Sequence, residues 1–217
     1  LGTCRRDHLL FLSSLIVLHS ESRSSSALQA ARTATVESSA SGEKAVEWTP
    51  LSSQVCEPDE ICQETLLLID VAGQKSALLG SKGCSSLGAQ NDVGVSIFSR
   101  PPGMVVASYT RFCSSNLCNA ASSTSVLLSN LPRPGMGSSD MERPRHCPVC
   151  VQLFRSCFQT SDFVTCPRGA THCYRGDIAL RGGGLSSTLS IQGCMASPVK
   201  SLLGNSKTIG ILSAKES

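Results

Sequence analysis

The sequence predicts an all-β protein: two small, short-stranded domains pinned by disulfides, preceded by an N-terminal segment without a core of its own. Three observations carry this. The first is a cysteine repeat. Cys56, Cys62 and Cys84 are separated by 5 and 21 residues, and Cys84 follows Gly83; Cys166, Cys173 and Cys194 are separated by 6 and 20, and Cys194 follows Gly193. The two sets are offset by 110, 111 and 110 positions, which marks one module present twice. The second is composition. Twelve cysteines in 217 residues fit an oxidising compartment. Aromatics at 4% leave each core thin, a deficit that disulfides worth ~2–4 kcal/mol each would offset. The third is periodicity. Apolar residues come in short runs bounded by Gly, Pro and Ser, and no segment sustains a helical period.

Residues 1–47 are expected to lie outside the folded modules. Arg5-Arg6 precedes an apolar stretch over 9–18 that has the look of a secretory signal and is too short to span a bilayer as a helix. The other reading of this stretch is a misassembled piece. Residues 20–47, rich in Ser, Ala, Thr and Glu, read as disordered because they bury too little to offset their ordering entropy. The first module is assigned to 48–119. Thr65–Val71 is a strongly apolar strand, Gly73 a turn, and Ala77–Leu79 leads back to Gly83-Cys84 as a hairpin. Val93–Phe98 is a short strand stopped at Pro101-Pro102-Gly103, and Met104–Phe112 is a further strand ending at Cys113. Residues 120–146 have linker composition around Pro132-Arg133-Pro134-Gly135, with Val126-Leu127-Leu128 able to dock on a neighbouring module. The second module is assigned to 147–213. Asp177–Leu180 and Leu185–Ile191 bracket a glycine turn at 182–184, and Thr208–Leu212 supplies a late strand.

Several function classes recede. Net charge is +3 with no dense Lys/Arg run, so a nucleic-acid partner is not expected. Cys147-x2-Cys150 with Cys166 and Cys173 has one pair spaced too widely for the usual zinc site, and disulfides are the expected state, with no metal and no cofactor. Thiol redox chemistry would need a βαβ context that is missing. His8, His19, His146 and His172 sit in no nucleophile motif, so no catalytic residue is nominated and no enzyme is expected. Gly182-Gly183-Gly184 lacks the Lys-Ser/Thr and helix of a phosphate loop. Arg168, Arg175 and Arg181 read as a solvated face.

The end of the first module, Cys113-Ser114-Ser115-Asn116-Leu117-Cys118-Asn119, resembles the closing motif of the lymphocyte-antigen-six/urokinase-receptor family, whose domains are three-fingered. Cys147-x2-Cys150-x6-Cys157 resembles that family's domain start. Cys62-Gln63-Glu64-Thr65-Leu66, Ser81-Lys82-Gly83-Cys84, Cys166–Tyr174 and Ile191-Gln192-Gly193-Cys194 are similar to a neutrophil-surface branch of it, and the similarity runs from about Glu47 to Glu216. The resemblance implies disulfides Cys56–Cys84, Cys113–Cys118, Cys147–Cys173, Cys150–Cys157 and Cys166–Cys194. It also implies a first cysteine as partner of Cys62, some tens of residues before Cys56, where only Cys4 stands. The first strand of this module therefore reads as absent or replaced, with Cys4 and Cys62 unpaired or irregularly joined, and a missing strand would expose a sheet edge. The second module lacks the Cys-x4-Cys-Asn ending, so one of its loops is expected to be held by packing alone.

The same resemblance implies a non-enzymatic extracellular recognition protein. It would be lipid-anchored in its complete form by a signal not visible in this chain, and its protein ligands would include a serine protease and an endothelial adhesion receptor. A secreted soluble modulator is the alternative. Loops on a rigid hub are where recognition residues are expected. By residue type the anchors are Phe98, Met104, Tyr109 and Arg111 in the first module and Tyr174, Arg175 and Arg181 in the second.

Overall fold

A computed structural model describes residues 2–12, 15–19, 45–49, 52–71, 75–87, 92–131, 145–157, 162–199, 201–204 and 206–217. Its centre is a pair of long hairpins. β4 (Ile61–Val71) pairs with β5 (Lys75–Ser85), bringing Cys62 opposite Cys84. β10 (His172–Gly182) pairs with β11 (Leu185–Met195), bringing Cys173 opposite Cys194. In the second hairpin Gly183 and Gly184 both have positive φ, 53° and 79°, as a two-residue type I′ turn demands.

Each hairpin is the middle of a sheet. In the first domain β1 (Thr3–Leu12), β2 (Leu15–His19) and β3 (Ser52–Val55) lie on one side, and β7 (Val105–Cys113) and β6 (Asp92–Ser99) on the other, in the order β2-β1-β5-β4-β7-β6 with β3 beside β1. In the second domain β8 (His146–Leu153), β9 (Asp162–Thr165), β12 (Thr208–Ile209) and β13 (Leu212–Glu216) give the order β12-β13-β10-β11-β8-β9. Read outward from the hairpin, both domains have one connectivity: first strand beside the returning arm, last hairpin beside the outgoing arm. The cysteine repeat is a repeat of topology. The late strand expected at Thr208–Leu212 is two strands, folded back at Gly210, whose φ is 56°.

The N-terminal residues depart from expectation. Residues 3–12, placed outside the module on sequence, form the strand expected to be missing. β1 pairs with β5 from Asp7↔Lys82 to Leu12↔Ala77 and with β3 from Thr3↔Val55 to Arg6↔Ser52. Its first residues are tied to the hub: Cys56 N donates to Gly2 O at 2.8 Å, Leu117 N to Thr3 O at 2.6 Å, and Arg5 N to Asn119 Oδ1 at 3.0 Å. The signal-like stretch contributes β1 and β2 in its described residues. The disorder expected for 20–47 falls on residues outside the description, apart from 45–47.

Residues assigned to the linker also belong partly to the first domain. α1 (Ser125–Leu128) buries Leu127 among Trp48, Leu66, Leu68, Leu78, Ala107, Tyr109 and Ala121, so Val126–Leu128 docks as the sequence allowed. Trp48 joins the same layer through its backbone, donating to Ser122 O at 2.9 Å.

The unbroken apolar run of β4 has its explanation here. Its even positions, Leu66 and Leu68, face the α1 layer, whereas Leu67, Ile69 and Val71 face a larger core shared with the second domain. There they meet Val149, Val151, Ile178, Leu180, Leu189 and Ile191. A strand covered on both faces reads as continuous apolar sequence rather than as alternation. The two palms, the broad faces of the central hairpins, thus pack on each other head to tail. The tip of the last hairpin of the first domain reaches the hub end of the second, where Met104 N donates to Cys194 O at 2.7 Å. The glycine turn of the second domain reaches the hub end of the first, where Ser81 Oγ donates to Gly183 O at 3.0 Å. Lys75 and Asp162 close one side at 2.5 Å.

Candidate binding surface

Six disulfides define the two hubs: Cys4–Cys62, Cys56–Cys84 and Cys113–Cys118 in the first domain, and Cys147–Cys173, Cys150–Cys157 and Cys166–Cys194 in the second. Of the two alternatives for Cys4 and Cys62, unpaired or joined to each other, the structure has the joined one. β1 runs beside β3 with Cys4 opposite Gln54, which sets it in the hub among Cys56, Cys62 and Cys113, with Cys62 Sγ also 3.6 Å from Thr3 O. Sulfurs crowd in each hub: Cys4, Cys56 and Cys84 in one, Cys147, Cys166 and Cys194 in the other, each set within 4.8 Å. All are spent in cross-links, so these clusters offer no thiolate to a metal.

The closing segment of the first domain is fastened by polar groups as well. Asn119 mimics a strand neighbour: its amide donates to Arg5 O at 2.8 Å and to Gln63 O at 3.0 Å while its Oδ1 accepts from Arg5 N. Beneath it lies a buried ion pair, Lys82 Nζ to Glu64 Oε2 at 3.0 Å. Lys82 also donates to the carbonyls of Asn119 and Ala121, and Ala121 N donates to Glu64 Oε2 at 3.0 Å.

In the second domain the last strand pairs with β10 from Ile178↔Glu216 to Arg181↔Ser213. The last loop is held by more than packing. The carboxylate of Glu216 accepts from Leu202 N at 2.6 Å, Leu203 N at 3.0 Å, Ser201 Oγ at 2.7 Å and the Tyr174 hydroxyl. Burial pushes its pKa up, but the donors from Leu203, Tyr174, Leu202 and Ser201 outweigh it and hold the carboxyl below its ordinary range. Tyr174 moves the other way: burial first, then the bond to Glu216, raise its phenol. A depressed folded pKa contributes stability above the unfolded value, about 4.5, and loses it as pH falls through the folded one. Glu216→Gln is therefore expected to flatten the fall of the urea midpoint between about pH 5 and pH 3 while keeping the loop's shape. An unchanged acid limb would show that the loop does not depend on the charge.

The anchors expected from residue type are mostly not surface. Met104 is fully buried against Gly193 in the shared core, Tyr109 lies in the α1 layer, and Tyr174 is buried over Glu216, so these three are corrected from binding to packing residues. Met104 and the Tyr174 ring fill the core the two domains share, and the Tyr109 ring fills the α1 layer of the first domain. Burial, then the Glu64 charge, raises the Tyr109 phenol as well. Phe98 and Arg111 are half-buried, whereas Arg168, Arg175 and Arg181 are exposed. His146 and His172 share hydrogen bonds with the hydroxyls of Thr165 and Thr171.

Two residues that the sequence reading passed over stand out. Phe154 and Phe163 are 66% and 74% exposed, on the first finger of the second domain, formed by β8 and β9. Phe163 pairs with Pro148 across the finger, and Phe154 sits at φ 61° with its N–H on Thr188 O. A bulky residue in that backbone region is uncommon and outward-facing here. The alternation Asp162-Phe163-Val164 was the available signal: Val164 turns toward the core, so Phe163 turns away.

Similarity to known proteins runs over the same residues. The u-PAR/Ly-6 domain profile matches residues 43–121 and 143–217. The chain is 70% identical to CD177 antigen of Mus musculus over 177 residues, 81% of this chain and 21% of that protein. It thus spans about a fifth of that relative's length. It is 34% identical to testis-expressed protein 101 of Rattus norvegicus over 216 residues, 100% of this chain and 83% of that protein. The crystal structure of mouse TEX101 superposes with a TM-score of 0.65 at 33% identity, covering 79% of this chain and 86% of that one.

Proposed function

The chain belongs to the u-PAR/Ly-6 domain family, and from that membership we propose that it is a non-enzymatic recognition unit of the cell exterior, of the leukocyte-antigen kind, that binds protein ligands through its outward fingers. The observation that carries this reading is the division of apolar residues. The palms are used up between the domains, and among the described residues the exposed large aromatics, Phe154 and Phe163, both belong to one finger. Exposed aromatics on a cross-linked scaffold bind at little entropic cost. Six disulfides suit an extracellular setting. No helix among the described residues is long and apolar enough to cross a membrane.

A serine protease and an endothelial adhesion receptor are the ligands this reading nominates. Surface plasmon resonance with a neutrophil serine protease and with an adhesion-receptor ectodomain tests it. Phe154→Ala and Phe163→Ala should each weaken binding by about tenfold or more, with unfolding midpoints unchanged because both rings are exposed. Variants that bind both probes like the parent chain would remove this finger from the ligand site.

A further inference from the structure

Among the described residues five strands have an open edge: β2, β3 and β6 in the first domain, β9 and β12 in the second. β2 has five residues, β3 and β9 four each and β12 two, so each offers less free ladder than β6. β6 has eight, pairs only with β7 among the described residues, and carries neither charge nor proline between Asp92 and Ser99. Edge strands of soluble proteins usually carry such guards. Its one irregularity, a register shift between Ile97 and Ser99, lies near its end and leaves Asp92–Ile97 regular. Val93, 56% exposed, falls on the face of the half-buried Val95 and Ile97, beside Val126, Leu128 and Leu131. An apolar stripe therefore runs to an open backbone edge. The two ends of the segment are oppositely charged and exposed: Asp92 at one, Arg100 at the other.

We propose that β6 is a homotypic docking edge, on which a second copy of this chain adds its own β6 antiparallel about Val95. Each Val93 then lies across from the second copy's Ile97, and each Asp92 approaches the end of the second strand that bears Arg100. A two-fold arrangement buries the same patch on both copies and closes without propagating. Charge selects the orientation: antiparallel addition sets opposite charges together at both ends, whereas parallel addition sets like against like. The ladder supplies affinity, and the Val93–Val95–Ile97 stripe supplies the apolar contact. This edge is separate from the Phe154–Phe163 finger, so the two readings stand or fall independently.

Sedimentation equilibrium of the full chain, disulfides intact, from about 1 to 100 µM tests it. The expected result is a monomer–dimer equilibrium with a dissociation constant on the order of 10 µM, as a small interface gives. Val93→Glu, whose carboxylate would face Arg111 across β7 in the monomer, should weaken the dimer at least about tenfold. Ser96→Lys, exposed on the same edge, should do the same and serves where the first variant alters the near-ultraviolet circular dichroism. Asp92→Arg and Arg100→Asp should each weaken association singly and restore it when combined. A chain monomeric throughout this range, a dimer that both edge variants leave intact, or a charge swap without recovery would overturn the proposal.

Discussion

Replacing Cys4 and Cys62 together by serine is expected to lower the unfolding free energy by about 4 kcal/mol, more than removal of any other single bond. The cross-link joins residues 58 apart, whereas Cys113–Cys118 joins residues 5 apart and Cys56–Cys84 residues 28 apart. A bond that closes a longer loop removes more freedom from the unfolded chain, so the short closing loop should cost only about 2 kcal/mol when its cysteines are replaced. The native state adds a second cost. Cys4 is fully buried among Cys56, Cys62 and Cys113, and β1 enters the hub through bonds from Gly2, Thr3 and Arg5 that the cross-link holds in register. Urea unfolding of the two double-serine variants beside the parent chain measures the difference. Peptide mapping without reduction should recover the Cys4 and Cys62 peptides joined. A loss no larger than that from Cys113 and Cys118 would mean that the N-terminal strand is not anchored where the hydrogen bonds put it.

That strand also shows where sequence reading stops. Cys4 lies 52 positions before Cys56, and nothing local in Asp7–Leu12 says which strand it will join. Loop-closure entropy rises only logarithmically with length, so a distant strand can complete a sheet at modest cost and leave no local sign. The hairpins were legible for the opposite reason. Thr65–Val71 and Leu185–Ile191 carry β-forming residues beside their own turns, and the glycine run at 182–184 supplies the positive φ that the second turn requires. The palm contact was half-written. The unbroken run Leu66–Ile69 implies cover on both faces, but which surface provides the second cover depends on domain docking. Met104 and Tyr174 differ from expectation on that account, because domain docking covers them, whereas Tyr109 is covered by the α1 layer that residues 120–131 lay over its own sheet. Glu216 left no signal, being one acidic residue near other polar ones, and its four donors come from a loop 13 to 15 residues earlier and from Tyr174.

Lys82→Met is expected to cost about 3–5 kcal/mol, far more than loss of a surface lysine, because the ammonium is buried and serves three acceptors at once. Removing it leaves the fully buried carboxylate of Glu64 with Ala121 N as its remaining close donor, and strips the Asn119 and Ala121 carbonyls of their partner. A buried charge without its counter-charge is the expensive outcome; an apolar pair in the same space is not. Glu64→Gln should cost less, about 1–3 kcal/mol, since Lys82 keeps both carbonyls and an amide oxygen can still accept from Ala121 N. Glu64→Leu combined with Lys82→Met should recover much of the single-variant loss, giving a large coupling in a double-mutant cycle. The local consequence is readable from one side chain. Trp48, the chain's one tryptophan, is buried beneath the segment that Lys82 fastens and bonded through its backbone to Ser122. If the pair pins residues 119–124 to the palm, Lys82→Met should shift Trp48 emission to longer wavelength at denaturant concentrations where the rest of the chain stays folded. An unshifted spectrum together with a loss below about 0.5 kcal/mol, the range of ordinary surface substitutions, would mean that the disulfides alone hold this end of the domain.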